Sequence, residues 1–272
     1  MKSNIKVYPA TFFNGESFLS VEDFLAVEVG LSIAINNVPF TVTMQTPGDE
    51  IDLVRGLLYS ESIYQSMNDE ASIQILSYDK QGYVDAVNMV IPQKLILKEF
   101  AGTRNVISAS SCGMCGKTTI DENDLPPIEN NQSLNPVYIK RMFDQVSQMQ
   151  KSFQQSGGTH AAGAFTIDGQ MICMKEDIGR HNAVDKVIGY LVNHNSLSKI
   201  NCLTVSGRIS YEIVHKAKIA GIPFLASVSA PSSLAVDYAK ESGITLLAFC
   251  RNEKLTAYSF SEKLLQKNFL NL

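Results

Sequence analysis

From about residue 24 to residue 100 the chain carries mainly the two-residue period of half-buried strands. Phe40, Val42 and Met44 alternate there against Thr41 and Thr43. Asn36-Asn37 has the residue types of a tight hairpin turn. One helix interrupts the strands: Pro47-Gly48-Asp49 supplies a stop and an N-cap, and Ile51, Val54, Leu57 and Leu58 then fall on one face. Strand character returns at 72–76 and 84–91. After a stretch at 120–136 rich in Asp, Glu, Asn and Pro, the style changes. A helix with Ile139, Phe143, Val146, Met149 and Phe153 on one side ends at Ser156-Gly157-Gly158, and a hairpin turns at Asp168-Gly169. Helices are then expected at 182–193, 211–220 and 232–241, alternating with strands at 202–205, 224–228 and 245–250.

Alternating strands and helices imply parallel pairing with right-handed crossovers, so the fold class is α/β. The reading divides the chain into a smaller, mainly β N-terminal domain (1–119), a linker (120–136) and an α/β domain (137–272). Neither an internal repeat nor a low-complexity tract is visible.

Composition narrows the partners. With 45% hydrophobic and 18% charged residues over 272 positions, the chain can bury a full core. A net charge of -4 gives no overall pull toward nucleic acid or an anionic membrane. The first residues lack the apolar stretch of a secretory signal, and no later run stays apolar for roughly 18 residues, so a cytoplasmic protein is expected. Of the five cysteines, Cys173, Cys202 and Cys250 sit singly in strand-like apolar runs, unlike a secreted disulfide framework.

The other two form Ser110-Ser111-Cys112-Gly113-Met114-Cys115-Gly116-Lys117, the most chemically informative segment. Zinc would need four ligands, and neither a second Cys pair nor a His pair at metal spacing is present. A dithiol switch of the thioredoxin type sits where a strand enters a helix, whereas this pair lies between glycines before a linker. A sulfur carrier needs a thiolate on a mobile segment near positive charge, which Gly113, Gly116 and Lys117 supply. Two structural cysteines in a turn fit such a polar, glycine-rich run poorly. Zinc remains the second reading after sulfur carriage.

In open parallel sheets, ligands bind where strand ends feed helix N-termini. Two loops fit: Ser206-Gly207-Arg208-Ile209-Ser210, and Ser229-Ala230-Pro231-Ser232-Ser233. Helix capping explains the serines; Arg208 adds a planar fork suited to phosphate. The 176–186 stretch crowds ionisable residues ahead of an apolar helix, either as a solvated helix start or as a polar rim with Arg180, His181 and Lys186 as anion contacts. His160 precedes Ala161-Ala162 in a strand, where a hydrogen-bonded core-edge histidine and a functional one are equally good readings. The last strand delivers Phe249-Cys250-Arg251-Asn252-Glu253-Lys254 to the same edge, where an aromatic and two cations could grip a nucleotide.

SSCGMCGK, GGTHAAGAF, KEDIGRHNAVDKVIG, SGRISYEIVHKA and SAPSSLAVDYAKESGITLLAFCR together resemble the FdhD family of formate dehydrogenase accessory sulfurtransferases, over nearly the whole chain after residue 20. The resemblance implies a cytoplasmic homodimer that accepts sulfur from a cysteine desulfurase. It would supply that sulfur to the Mo-bis(molybdopterin guanine dinucleotide) cofactor, held as a substrate and not as a permanent cofactor, for the formate dehydrogenase catalytic subunit. It further implies a three-layer C-terminal domain similar to the cytidine deaminase fold, Cys112 as the persulfide-bearing residue, Cys115 as its partner, and 249–254 as a contact segment for the nucleotide end. Gly207, Arg208, Arg180 and His181 complete the expected cofactor site, with no metal ligands. Deamination itself is disfavoured, because a zinc deaminase needs His-x-Glu and His160 is followed by two alanines. The competing function is a cofactor-binding chaperone whose cysteines bind zinc or stabilise a turn.

Overall fold

The computed structural model describes residues 3–68, 70–100 and 125–265. It opens on a two-stranded arm, β1 (Ile5–Phe13) against β2 (Phe18–Ala26), antiparallel over nine residue pairs. Asn14 fixes the turn, its side-chain oxygen accepting from the amides of Glu16 and Ser17 at 2.9 Å each. The arm escaped the sequence reading because it buries neither face. Apolar side chains point both ways, so no alternation marks it.

The strands β3 (Val29–Ile35), β4 (Val38–Gln45), β5 (Ser72–Tyr78) and β6 (Val84–Val90) form a four-stranded sheet in the order β4-β3-β6-β5. Asn36 and Asn37 make the expected turn with φ of 49° and 66°, conformations that asparagine tolerates. Between β4 and β5 runs helix α1 (Glu50–Ser60), which buries Leu53, Val54, Leu57 and Leu58 on this sheet against Leu31, Ile33 and Val87. Asp49 stands at the N-cap as expected, yet its side chain caps nothing; the carboxylate pairs with Lys175 instead.

A second, six-stranded sheet has the order β12-β11-β10-β9-β7-β8. Its central strands β9 (Cys202–Val205), β10 (Phe224–Ser227) and β11 (Thr245–Arg251) are parallel, as the alternating pattern requires. The hairpin β7 (His160–Phe165) and β8 (Met171–Asp177) joins one side antiparallel, and the short β12 (Lys254–Ala257) joins the other. Helices α4 (Arg180–Asn193), α5 (Tyr211–Ile219) and α6 (Ser233–Glu241) cover the face bearing Ala162, Leu203, Val205, Leu225 and Leu246. Helix α2 (Pro136–Met149) covers the face bearing Ala161, Cys202, Phe224 and Leu247. The large sheet is thus the middle of three layers. Where one helix was expected up to Ser156, the chain breaks at Gln150 and restarts as α3 (Lys151–Ser156), which Gly157 closes at φ 63°. Glu176 holds this restart, accepting from the amides of Ser152 and Phe153. Among the described residues no helix is long and apolar enough to cross a membrane.

The two sheets are joined through α1 and α4. A Cβ placed on Gly56 would lie 1.8 Å from the backbone oxygen of Asp185, and one on Gly189 would lie 1.8 Å from that of Asp52. The two helices therefore touch backbone to backbone, which only glycine allows. Charged contacts flank the crossing. Lys175 meets Asp49 at 2.5 Å and Asp52 at 2.7 Å, and buried Lys216 meets Asp185 at 2.7 Å while Ser60 donates to the same carboxylate. Gly189→Ala should destabilise the fold by at least about 2 to 3 kcal/mol, the upper range of overpacking costs, because the neighbour is main chain that cannot swing aside. Urea unfolding measures this directly, and a loss under about 0.5 kcal/mol would contradict the packing described.

Candidate functional site at the carboxyl edge of the large sheet

Strand direction decides what meets at this edge. Parallel β9, β10 and β11 end there, while antiparallel β7 begins there and β8 ends there. The 206–208 loop, the start of β7 and the start of α4 are therefore neighbours although they lie far apart in sequence. Ser206 Oγ accepts from the amide of Ala161 at 2.9 Å and lies 3.3 Å from His160 Nδ1. Gly207 sits under both His160 and Arg180: a Cβ here would stand 3.2 Å from Arg180 Cδ and 3.3 Å from His160 Nδ1. Ser227 Oγ donates to the Gly207 carbonyl at 2.7 Å, tying the β9 and β10 loops together.

Arg180 has a buried Nε with no hydrogen-bond partner in the described structure, an expensive state for a cationic group. Arg208 is exposed on its loop. His181 is buried, 3.2 Å from both Ser210 Oγ and Glu212, so it braces the start of α5. Burial would raise the Glu212 carboxyl, but hydrogen bonds from His181 and Ser210 outweigh it and hold the group below the usual carboxylate range. His160 moves down: burial comes first, then the charge of Arg180, so its imidazole is neutral at neutral pH.

Lys186 is not an open anion contact. It is 1% exposed and bonds Asp177 at 2.7 Å and the Thr46 carbonyl at 2.6 Å. Asp177, fully buried, also accepts from the amides of Thr46 and Gly179 and from Asn182 Nδ2. This pair pins the end of β4 to the start of α4, a structural duty the sequence pattern gave no means to separate from ligand binding.

The 249–254 segment forms the other half of the edge. After Ala248 the register of β11 shifts, and Phe249 adopts φ 53° with its ring 46% exposed. A bulky residue in the left-handed region costs on the order of 1 to 2 kcal/mol, and such outliers cluster at ligand sites. The amide of Phe249 donates to the Ser229 carbonyl and Arg251 Nε to that of Val228, so the strained backbone is held by the adjacent loop. Asn252 and Glu253, at φ 50° and 65°, turn the chain into β12. Arg251, Asn252, Glu253 and Lys254 line a groove of about 410 Å³ whose far wall is α2, through Ile139 and Phe143, and whose end is Ser206 and Val228. Cys250 also borders it, but its side chain is only 5% exposed and burial pushes its thiol up to about 12.

The structure thus gathers Gly207, Arg180 and His160 at one part of the edge and 250–254 with Ser206 at the next. Cys112 and Cys115 lie outside the described residues. Cys173 and Cys202 are buried, and burial raises both thiols, that of Cys173 to about 12. Among the described residues no group of three or more His, Cys, Asp or Glu side chains is placed to hold a metal ion. Sequence reasoning singled out the 206–210 loop and the 176–186 stretch but could not separate the role of Ser206, which bonds the Ala161 amide, or of Asp177, which locks Lys186; the strain at Phe249 has no sequence signature.

The model of the FdhD/NarQ family matches residues 26–265. Proteins named "Sulfur carrier protein FdhD" are similar along most of the length. That of Nocardia farcinica is 43% identical, covering 89% of this chain and 88% of its own. That of Mycobacterium tuberculosis is 37% identical over 92% and 95%, and that of Sulfolobus acidocaldarius 38% identical over 90% and 92%. The fold is similar to the crystal structure of a Desulfotalea psychrophila protein provisionally described as a formate dehydrogenase accessory protein. The TM-score is 0.74 at 22% identity, over 97% of this chain and all of that one. By the match of its family model over most of its length, the chain belongs to the FdhD/NarQ family.

Proposed function

We propose that this chain is a sulfurtransferase that takes sulfur onto Cys112 as a persulfide and supplies it to a large anionic cofactor, Mo-bis(molybdopterin guanine dinucleotide), before insertion into formate dehydrogenase. The observation that carries the reading is the placement of the Cys112-Gly-Met-Cys115 pair inside a chain 37–43% identical to sulfur carrier proteins. The 410 Å³ groove and the strained Phe249 support a ligand at the carboxyl edge. In the proposed cycle the Cys112 thiolate attacks the outer sulfur of a desulfurase persulfide, and the desulfurase cysteine leaves as its thiolate. Cys115 thiolate can then attack the inner sulfur, releasing hydrosulfide and leaving a Cys112–Cys115 disulfide; the alternative is direct transfer of the terminal sulfur to the cofactor, which would supply the electron pair of the new bond while Cys112 leaves as its thiolate. Lys117, five residues after Cys112 in the sequence, brings a positive charge to the same segment. Among the described residues the other cysteines are buried, with raised thiols, and do not compete.

The reading extends to the organisation of the molecule. The 1–119 and 137–272 units would act as a sulfur-bearing and a cofactor-holding domain, the latter similar to the cytidine deaminase fold in having helices on both faces of its sheet. The setting would be the cytoplasm, with a cysteine desulfurase and the formate dehydrogenase catalytic subunit as partners. A homodimer is supported by the arm, whose Phe12, Phe13, Phe18 and Leu19 are half exposed or nearly so, Phe18 at 74%. A two-stranded hairpin alone is marginal in water, and packing these side chains against a second copy would stabilise it.

Cys112→Ala should lose labelled sulfur transferred from a desulfurase while still binding guanine nucleotide; label retained at the wild-type level would exclude Cys112 as the carrier. Arg208→Ala should weaken guanine-nucleotide binding by about 1.5 to 3 kcal/mol, the worth of a charged hydrogen bond, measured by calorimetry. Unchanged affinity would remove Arg208 from the site.

A further inference from the structure

We propose that His160 is a further binding residue, an imidazole that donates a hydrogen bond to a phosphate or diphosphate oxygen held between it and Arg180 beside Gly207, taking a proton from solvent as it does so. The inference rests on the anion-binding reading of this edge and adds to it a residue and a proton.

Three observations meet at this point. Gly207, having no side chain, lets the Arg180 stem and the His160 ring pack together against its backbone, where a methyl group would stand 3.2 to 3.3 Å from both. Arg180 Nε is buried and unpartnered beside it. His160 is half-buried at the first position of β7, anchored by Nδ1 near Ser206 Oγ, and its other ring nitrogen bonds none of the described residues. A guanidinium whose Nε lacks an acceptor and an imidazole with a spare nitrogen, packed side by side over Gly207, are the parts of an oxyanion seat.

The electrostatics give the proton its direction. Arg180 and His181 from α4 and Asp177 from the end of β8 face the ring. Burial and then the charge of Arg180 hold protonation below the ordinary histidine value, and Asp177, already engaged by Lys186, offsets them only in part. In the open state the ring is therefore neutral at neutral pH. A bound dianion reverses the balance, because it neutralises Arg180 and accepts from the ring, so the histidine is protonated to a higher pH in the complex than in the free protein. Between those two values one proton enters with each ligand, and affinity falls by up to tenfold per pH unit as pH rises.

The test is calorimetric titration of the full-length protein with diguanosine diphosphate, a diphosphate diester that does not itself titrate between about pH 5.5 and pH 8. Two buffers of different ionisation enthalpy report the protons taken up. Wild type should bind more weakly as pH rises, with proton uptake approaching one. His160→Gln, which keeps a side chain able to reach Ser206, should bind with little pH dependence and at the acid end several-fold to tenfold more weakly, at unchanged melting temperature. His181→Gln should keep the slope. A pH-independent wild-type affinity, a slope surviving in His160→Gln, or a slope lost with His181 would overturn the role of His160 and leave nucleotide binding standing. Absence of binding at every pH would overturn both readings together.

Discussion

Helices α1 and α4 cross with backbone against backbone, and the rest of the molecule is arranged around that contact. Gly56 and Gly189 each bring the opposite helix's carbonyl oxygen to where a Cβ would stand, so neither sheet can back away without opening a layer of buried polar groups. The flanking ion pairs, Lys175 with Asp49 and Asp52 and Lys216 with Asp185, contribute little by attraction alone, since desolvation offsets most of it. Their effect is on specificity: a shift of α1 relative to β8 would leave Asp49 and Asp52 without Lys175, and a shift of α4 relative to α5 would leave buried Lys216 without Asp185. Close approach and charge register together fix where α4 begins.

That fixed start matters because α4 opens at the proposed ligand edge. Arg180 is its first residue, and Asp177 just before it is locked by Lys186, Asn182 and the Thr46 amide. The small sheet thus reaches the site of the large one through Thr46. Arg180 can afford an unpartnered buried nitrogen only because its backbone is held this firmly. The same logic applies to Phe249, whose left-handed backbone is held by hydrogen bonds to the β10 loop. The edge is held in place by its neighbours, which bear the strain.

Much of this was legible in the chain. The alternation at 40–44, the Asn36-Asn37 turn and the strand–helix rhythm after residue 200 all became the elements they predict, because local pattern and sheet pairing agree there. The arm was not legible, because a hairpin buried on neither face has no period to read. Lys186 looked like Arg180, a cation near a glycine; only the fold shows that one faces Asp177 in the core and the other faces the edge. His160 and Arg208 are 48 residues apart in number and meet at one edge because β7 runs against β9, a register no spacing encodes. Gly189 did carry a signal: a lone glycine inside an apolar helix calls for a packing reason, and α1 is that reason.

The central claim is that sulfur travels on the 112–115 pair while the carboxyl edge holds the acceptor. Intact-protein mass spectrometry after incubation with a cysteine desulfurase and cysteine, followed by peptide mapping, tests it most directly. The account predicts one or two added sulfur atoms, removed by reductant and mapped to Cys112 or Cys115. A clean unmodified mass, or sulfur found on Cys173, Cys202 or Cys250, would contradict it.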